Sequence, residues 1–211
     1  PPVVFNSSLL THSRNNYGKP LNSMQIPDEI LSRIRATEKP LIIGVSGFGG
    51  AGKSSFAKAL GEAVGAPFVG VDSFQKDGAF DTEYSLWEIM DFPRLEKEVL
   101  QPFASGEKII RYGHFNVPSR SVTETRELKN TELLIIEGVG LFRPELSKYF
   151  GLKIWVDCPM DAAIARGKKR DREEYGNPTD EQWEGIWKKN DEEYLEQYKP
   201  KDAADFVFQN C

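Results

Sequence analysis

Short apolar runs alternate along this chain with longer stretches in which apolar residues recur every three or four positions. The short runs predict buried strands at 41–46, 67–71, 133–136, 153–156 and 206–208. The longer stretches predict helices between them. Strands that alternate with helices usually pair in parallel through right-handed crossovers. The pattern therefore predicts an α/β fold, a doubly wound parallel sheet with helices on both faces.

The predicted helices follow from the spacing of their apolar residues. One begins near Ile26, and the others cover 53–64, 94–105, 161–175 and 180–198. A Gly-Asn-Pro sequence separates the last two, since glycine and proline interrupt helices.

The first part of the chain differs from the rest. Residues 1–24 are rich in Asn, Ser, Gly and Pro and have no sustained period, so we expect an N-terminal arm that is either loose or laid over the domain. Residues 25–211 are expected to form one compact domain. No basic leader precedes a continuous apolar stretch and no membrane-spanning run is present, so a cytoplasmic location is expected.

Composition and charge exclude several classes of protein. With 39% hydrophobic and 28% charged residues, the chain is typical of a globular protein rather than a disordered or collagen-like one. Its net charge of −5 argues against a protein that binds duplex DNA. Cys158 and Cys211 cannot build a disulfide framework or a cysteine zinc site, which favours a reducing compartment. We interpret Cys158 as a small buried apolar residue.

The sharpest signal is the stretch from Gly47 to Ser54, which fits the pattern G-x-x-x-x-G-K-[ST] between a predicted strand and a predicted helix. Glycines let successive backbone N–H groups converge on an anion at the start of a helix. Lys53 then adds a positive charge toward the outer phosphates, and the Ser54 hydroxyl can bind Mg²⁺. We therefore expect ATP or GTP to bind here. The residues predicted to hold the nucleotide are Gly47, Gly49, Gly50, Ala51, Gly52, Lys53, Ser54 and Ser55.

Two acidic residues follow predicted strands, and ligands of doubly wound sheets gather at the carboxyl ends of strands. Asp72 can accept a proton from an attacking hydroxyl or hold Mg²⁺ through water, and its alternative role is a helix cap. Glu137 takes the place of the aspartate that usually ends such a strand, and its alternative role is a surface residue in a turn. The predicted metal site comprises Ser54, Glu137 and Asp72.

Five basic residues lie within 166–172 of an otherwise acidic chain. Arg166 and Arg170 are four positions apart and share one face of a helix. Arginines on a mobile helix can neutralise the charge of a transferring phosphoryl group, whereas a solvated face paired with nearby carboxylates is the alternative. We predict a helical lid in which Arg166 and Arg170 act in catalysis, together with Lys53 and Asp72.

The stretch 79–92 mixes aromatic and acidic side chains, among them Phe80 and Asp81. Such a mixture suits a pocket for a small molecule that carries hydroxyl groups, although aromatic residues at helical spacing are also typical of a core. The run 111–117 offers a second wall. The residues that we predict to contact the substrate are Phe74, Gln75, Tyr84, Trp87, Asp91, Tyr112 and His114.

Four stretches taken together resemble the uridine kinase family of P-loop kinases, whose relatives include phosphoribulokinase and bacterial pantothenate kinase. They read GVSGFGGAGKSS, VDSFQKD, LLIIEGVGLF and KIWVDCPMDAAIARGKKRD, in that order. The closing DAADFVF resembles the last strand of the family, so the resemblance extends over about 41–208. It implies a P-loop NTPase fold with a helical lid.

The resemblance also implies roles for individual residues. Asp72 would be the base that activates the acceptor hydroxyl, and Glu137 would support the metal. Lys53 and Ser54 would hold ATP and Mg²⁺, and the two lid arginines would close over the phosphates.

The sequence departs from the family pattern on the acceptor side. Gln75 stands where uridine kinases have a tyrosine after Asp-Ser-Phe, and a Tyr-Gly-His-Phe sequence starting at Tyr112 replaces their Tyr-Asp-Phe element. Asp91 is the nearest counterpart of their sugar-binding aspartate. The kinase machinery therefore transfers to this chain, and uridine specificity does not.

These observations predict an ATP-dependent kinase that phosphorylates a hydroxyl of a small metabolite, a nucleoside or another sugar-like alcohol. We expect a small-molecule substrate and binding to neither nucleic acid nor a membrane. The sequence is also compatible with a homo-oligomer. The alternative is a nucleotide-dependent switch or accessory NTPase that acts on a protein partner.

Overall fold

A computed structural model describes residues 2–6, 11–14, 20–77 and 83–211. Within these residues the chain forms ten strands. In chain order they are β1 (Val3–Asn6), β2 (Thr11–Arg14), β3 (Pro20–Ser23), β4 (Leu41–Ser46), β5 (Phe68–Gly70), β6 (Ile109–Asn116), β7 (Ser121–Lys129), β8 (Leu133–Glu137), β9 (Phe150–Asp157) and β10 (Phe206–Gln209).

Eight α-helices lie between the strands in the same described ranges. They are α1 (Asp28–Ala36), α2 (Lys53–Val64), α3 (Phe92–Leu95), α4 (Gln101–Ala104), α5 (Pro144–Ser147), α6 (Met160–Glu173), α7 (Asp180–Glu184) and α8 (Ile186–Tyr198). A π-helical turn, Glu96–Leu100, joins α3 to α4, and a 3₁₀ turn, Val71–Phe74, follows β5.

Six of the described strands form one sheet in the order β1-β10-β9-β4-β8-β5, and every neighbouring pair is parallel. The chain runs from β4 to β5 on one side and reaches β9 and β10 on the other. The phosphate-loop motif therefore follows the strand at which the order reverses, where open α/β sheets bind their ligands. The predicted doubly wound parallel sheet is confirmed.

Helices cover both faces of this sheet. Phe208 and Val156 are register partners and share a face, and the Phe208 ring packs on Phe56 of α2 with centroids 4.7 Å apart. The neighbouring Trp155 points to the other face, since side chains alternate along a strand. Its ring lies 6.5 Å from that of Tyr194 on α8. All these rings are buried, so the core forms two layers around the sheet.

Several predicted elements differ from the structure in their extent. The strand predicted at 67–71 is only Phe68–Gly70, because the chain turns into the 3₁₀ turn before Asp72. The helix predicted over 180–198 is interrupted at Gly185, whose φ of −103° and ψ of −108° lie outside the helical region. Sequence patterns did not predict the antiparallel hairpin of β6 and β7.

The described residues of the predicted arm include a strand of the main sheet. β1 pairs in parallel with β10 and extends the sheet by one strand at its edge. None of the described helices is long and apolar enough to cross a membrane.

Cys158 is buried, as the sequence predicts, but it also forms a disulfide that was not predicted from the sequence. Its sulfur is bonded to that of Cys211, and the two Cα atoms are 5.4 Å apart. The disulfide joins the start of the segment before α6 to the segment after β10.

Candidate functional site

The phosphate loop, residues 47–54, connects the fully buried strand β4 to the first turn of α2. Gly50 and Gly52 have φ values of +77° and +92°, which side-chain-bearing residues rarely adopt. A Cβ at Gly50 would lie 2.0 Å from the carbonyl oxygen of Ala163 on α6, so the backbones approach too closely for any side chain. The loop is therefore shaped as a backbone cradle of the kind that holds phosphate groups. The structure supports ATP binding in this respect.

Lys53 lies in this loop with its side chain buried. Its Nζ donates a hydrogen bond to the carbonyl oxygen of Phe48 at 2.8 Å. Burial lowers the pKa of the ammonium, while Glu137, Asp191 and Asp72, in decreasing order, oppose this. Three carboxylates therefore surround the charge that is predicted to reach the outer phosphates.

Glu137 ends β8 beside the loop, as the sequence predicts. The Ser54 hydroxyl donates to its Oε1 at 3.2 Å. Burial and, secondarily, the nearby Asp72 raise the pKa of Glu137 to about 7. These oxygen atoms are the donor type that Mg²⁺ prefers, so the donor set fits the predicted metal site.

Asp72 is the second residue of the 3₁₀ turn, and its side chain is exposed. It lies close enough to Lys53 and Glu137 to influence the pKa of both. The structure therefore brings the predicted base, the loop lysine and the metal-supporting carboxylate together. Ser55 is exposed in the first turn of α2.

The two predicted lid arginines lie on α6 and make different contacts. Arg166 donates through Nη1 to the carbonyl oxygen of Asn210 at 2.5 Å. Arg170 pairs with Asp171 at 2.7 Å and lies near enough to Lys53 to lower its pKa. Arg166 therefore contacts the segment after β10, whereas Arg170 is held by Asp171 on α6. The lid roles of the two arginines stay predictions.

The hairpin of β6 and β7 supplies two of the predicted substrate residues. His114 shares a hydrogen bond between its Nδ1 and the Ser73 hydroxyl, 2.9 Å apart. Burial and the neighbouring Arg126 lower the pKa of His114, so the ring is neutral at pH 7. Tyr112 is largely buried, which raises its pKa. Both residues contact the 3₁₀ turn that carries Asp72, His114 through Ser73 and Tyr112 through the ring of Phe74.

Two other predicted substrate residues have structural positions. Phe74 is fully buried between the ring of Tyr112, 5.5 Å away, and the guanidinium of Arg94, 4.7 Å away, so it supports the site from the core and does not face it. Asp91 caps α3, because its Oδ1 accepts the N–H of Arg94 at 3.1 Å. Its Oδ2 lies 3.6 Å from Nε of Arg94, and the side chain is partly exposed, so a contact of Asp91 with the substrate stays a prediction.

Gln75 has a buried Oε1 without a hydrogen-bond partner in the described part of the chain. A buried acceptor of this kind is uncommon in folded proteins. The side chain directly follows Phe74 and therefore lies beside the turn of Asp72. This oxygen is therefore free to accept a hydrogen bond from a bound molecule.

The segment that carries Tyr84 and Trp87 packs on α8. The carbonyl oxygen of Tyr84 accepts a hydrogen bond from Asn190, and the indole N–H of the buried Trp87 donates to Asp191 at 2.9 Å. Phe80 and Asp81, named in the same predicted pocket, lie outside the described residues.

Sequence reasoning missed two residues that organise the site. Arg94 donates to the carbonyl oxygens of Gly113 and Ser73, at 2.8 and 2.9 Å, and so ties the hairpin to the Asp72 turn. Asp191 accepts the backbone N–H of Gly49 in the phosphate loop at 3.0 Å. Neither residue belongs to a short motif, and no local signal in the sequence identifies it.

Comparison with known proteins adds an independent line of evidence. The family model described as "Phosphoribulokinase / Uridine kinase family" matches residues 42–211. A uridine kinase of Pectobacterium atrosepticum is 30% identical over 183 residues, which cover 79% of this chain and 85% of that protein. A uridine kinase of Aliivibrio salmonicida is 29% identical over 169 residues, covering 70% and 75%.

Solved structures agree at the level of the fold. The structure of a possible uridine kinase from Bacillus stearothermophilus superposes with a TM-score of 0.66 and covers 86% of this chain and 96% of its own. At 19% identity, this similarity establishes a shared P-loop kinase fold and nothing finer.

Proposed function

Since the chain belongs to the phosphoribulokinase and uridine kinase family, we propose that it transfers the γ-phosphoryl group of ATP to a hydroxyl of a nucleoside or another sugar-like alcohol. Membership makes the protein an ATP-dependent phosphotransferase with a small metabolite as acceptor. The proposal adds the class of the acceptor and the roles of individual residues.

One observation carries the assignment of roles. Gly70, two residues before Asp72, is the register partner of Glu137, and the Ser54 hydroxyl beside Lys53 donates to Glu137 at 3.2 Å, so the three groups lie at one end of the sheet. A general base must lie within hydrogen-bond reach of the proton that it removes. The exposure of Asp72 supports this role, because an acceptor arriving from solvent can reach it.

The remaining roles follow from position. The loop amides and Lys53 hold the phosphates, and Arg170 reaches toward the same region from α6. Ser54 and Glu137 would hold Mg²⁺, which neutralises charge on the phosphate oxygens when it is bound. Asp72 accepts the proton of the acceptor hydroxyl as its oxygen bonds to the γ-phosphorus and the bond from that phosphorus to ADP breaks, so that ADP leaves. Catalysis then rests on positioning and on charge stabilisation.

The acceptor side supports an alcohol with several polar groups. His114 and Ser73 form a hydrogen-bonded pair beside the Asp72 turn, and the Gln75 Oε1 is buried without a partner in the described residues. A hydroxyl or N–H of the acceptor would satisfy that oxygen. Gln75 also stands where uridine kinases have a tyrosine, which favours an acceptor held differently from uridine.

A pooled assay tests the proposal. The protein is incubated with Mg-ATP and a mixture of nucleosides, sugars and sugar alcohols, and products are sought by mass spectrometry. We expect one class of alcohol to gain a phosphate group. Formation of ADP and free phosphate with no phosphorylated alcohol would instead favour the nucleotide-dependent switch. The relatives compared above are small-molecule kinases, which favours the first outcome.

A further inference from the structure

Asp191 of α8 is a buried carboxylate in contact with the phosphate loop that the chemistry above does not use. Its Oδ2 accepts the backbone N–H of Gly49 at 3.0 Å, and its Oδ1 accepts the indole N–H of Trp87 at 2.9 Å. The residue is 3% exposed. Burial is the main cause that raises its pKa, to about 6, so the group is still mostly ionised at pH 7.5.

The position of this carboxylate resembles that of a phosphate oxygen. Backbone N–H groups of a phosphate loop bind anions, and the loop lysine reaches the outer phosphates. Asp191 takes a loop N–H and attracts the ammonium of Lys53, whose pKa it raises. Asp191 therefore holds an amide of the loop and lies near enough to the lysine to raise its pKa, and both groups are ones that a terminal phosphate would engage.

The same carboxylate reaches the acceptor side through Trp87. Two further residues of α8 hold the segment 85–90, because Asn190 accepts the N–H of Trp87 at 2.5 Å and Glu193 accepts the N–H of Leu86 at 3.1 Å. Leu86 and Trp87 have φ values of +52° and +60°, a conformation that side-chain-bearing residues adopt only under constraint. Contacts from α8 supply that constraint.

We propose that Asp191 is a positioning residue that occupies the terminal-phosphate position of the loop and couples it to the acceptor side through Trp87. The inference rests on the proposed function, since it assumes that the loop binds a nucleoside triphosphate. A terminal phosphate displaces the carboxylate from Gly49. Because the Asp191 carboxylate accepts hydrogen bonds from both Gly49 and Trp87, its displacement also removes the hydrogen bond of the Trp87 indole. A diphosphate lacks the group that competes with Asp191 and leaves the contact in place.

Nucleotide binding by three proteins tests this coupling. The wild type, Asp191→Asn and Glu193→Gln are titrated calorimetrically at pH 7.5 in excess Mg²⁺ with ADP and with AMP-PNP, a non-hydrolysable ATP analogue. Asp191→Asn removes the competing charge and keeps the shape. We expect it to bind AMP-PNP about 10-fold more tightly, the scale of one charge-assisted hydrogen bond, and to bind ADP as the wild type does.

Glu193→Gln is the matched control. It alters a carboxylate of the same helix that holds the same segment but does not touch the loop, so the ratio of AMP-PNP to ADP affinity should stay at the wild-type value. If Asp191→Asn does not fold, Trp87→Phe replaces it. That variant loses the indole N–H that holds the carboxylate, and we expect a smaller gain in AMP-PNP affinity.

The outcomes are distinguishable. Unchanged or weaker AMP-PNP binding by Asp191→Asn, with normal ADP binding, overturns the inference, and so does an equal gain in Glu193→Gln. If none of the three proteins binds either nucleotide, the proposed function itself fails.

Discussion

At the residue scale, the chemistry of the site depends on which charges are buried together. Glu137 and Lys53 are both buried beside the loop. Burial raises the pKa of Glu137 and lowers that of Lys53, so it favours the uncharged form of each group. The attraction between the two charges opposes both shifts. The exposed Asp72 opposes the shift of Lys53 and adds to the shift of Glu137. Asp72 is exposed, which suits a group that must meet an incoming acceptor, whereas Glu137 is buried beside Ser54. This difference in exposure separates the two carboxylates.

Replacing Asp72 with asparagine tests its role as the base. Asp72→Asn keeps the size of the side chain and removes its ability to accept a proton. We expect kcat to fall by about 10²–10⁴-fold, the usual contribution of general base catalysis, with little change in ATP affinity. Steady-state kinetics on the identified acceptor and calorimetric titration with ATP give the two quantities. Near-normal turnover would remove Asp72 from the mechanism.

Replacing Glu137 with glutamine tests the consequence of its burial for stability. In the folded protein its pKa is raised from the ordinary 4.5 to about 7. The unfolded chain therefore releases this proton more readily, and the contribution of Glu137 to the free energy of unfolding falls as the pH rises from about 4.5 to about 7. Glu137→Gln removes this loss, so the variant should gain at most about 3 kcal/mol relative to the wild type at pH 8 and about 1 kcal/mol at pH 5.

Urea unfolding in the presence of a metal chelator, at both pH values, measures the difference. The comparison of the two proteins at each pH cancels the titration of Asp191, which both contain. A difference that is the same at pH 5 and pH 8 would show that Glu137 does not titrate in this range.

Part of the site was predictable from the sequence because its residues are local to one motif. Lys53 and Ser54 follow the glycines of the loop at fixed spacing, and the strand pattern places Glu137 at the end of β8. Asp191 lies 142 positions from the Gly49 whose N–H it accepts. A contact of this kind depends on how α8 packs against the loop, which no local pattern encodes. The assigned catalytic and binding roles stay predictions until the variants are measured.

At the element scale, predictability followed burial. Five of the six strands of the main sheet were predicted at their approximate positions from apolar runs, whereas β1 lies in the predicted arm and was not. β7 is exposed along almost its whole length and carries no apolar alternation. The hairpin was therefore missed, although it carries Tyr112 and His114 to the site. Gly185 interrupts the helical pattern of 180–198, and the periodicity alone does not show that break.

The packing of α6 on α7 gives a prediction at this scale. A Cβ at Gly167 of α6 would lie 2.2 Å from the ring of Trp183 on α7, which is buried and donates its indole N–H to Asp171 at 2.8 Å. The ring also lies against the phosphate loop, since a Cβ at Gly49 would be 2.9 Å from it. Gly167→Ala must therefore displace α7.

We expect Gly167→Ala to lower the free energy of unfolding by about 1–3 kcal/mol, although alanine is the better helix former. ATP affinity should fall as well, because the displaced ring contacts the loop. Lys169→Ala, an exposed substitution on the same helix, is the control and should change both quantities little. Urea unfolding and calorimetric titration check the pair. A more stable Gly167→Ala would show that α7 moves away without cost.

At the scale of the whole molecule, segments far apart in the chain meet at the phosphate loop. The side chain of Asn210 donates a hydrogen bond to the carbonyl oxygen of Ala51 at 2.8 Å. The backbone N–H of Asn210 donates to the carbonyl oxygen of Asp157, also at 2.8 Å. The disulfide of Cys158 and Cys211 fastens the same segment one residue further on. The alternation of strands and helices predicted the parallel sheet, but the pairing of two cysteines 53 positions apart follows from the final fold and was not foreseen.

Removing the disulfide tests how much this closure contributes. In the chain-entropy account, a cross-link spanning 53 residues restricts the unfolded chain and stabilises the folded state by about 4 kcal/mol. Cys211→Ser should lower the free energy of unfolding by up to that amount. It should also weaken ATP binding, because Asn210 is then held against the loop only by its hydrogen bonds. Urea unfolding of both proteins, with and without dithiothreitol, separates the cross-link from the side chain. The reductant should lower the wild type to the level of the variant and leave the variant unchanged, whereas equal stability of the two proteins without reductant would mean that the disulfide does not restrict the unfolded chain.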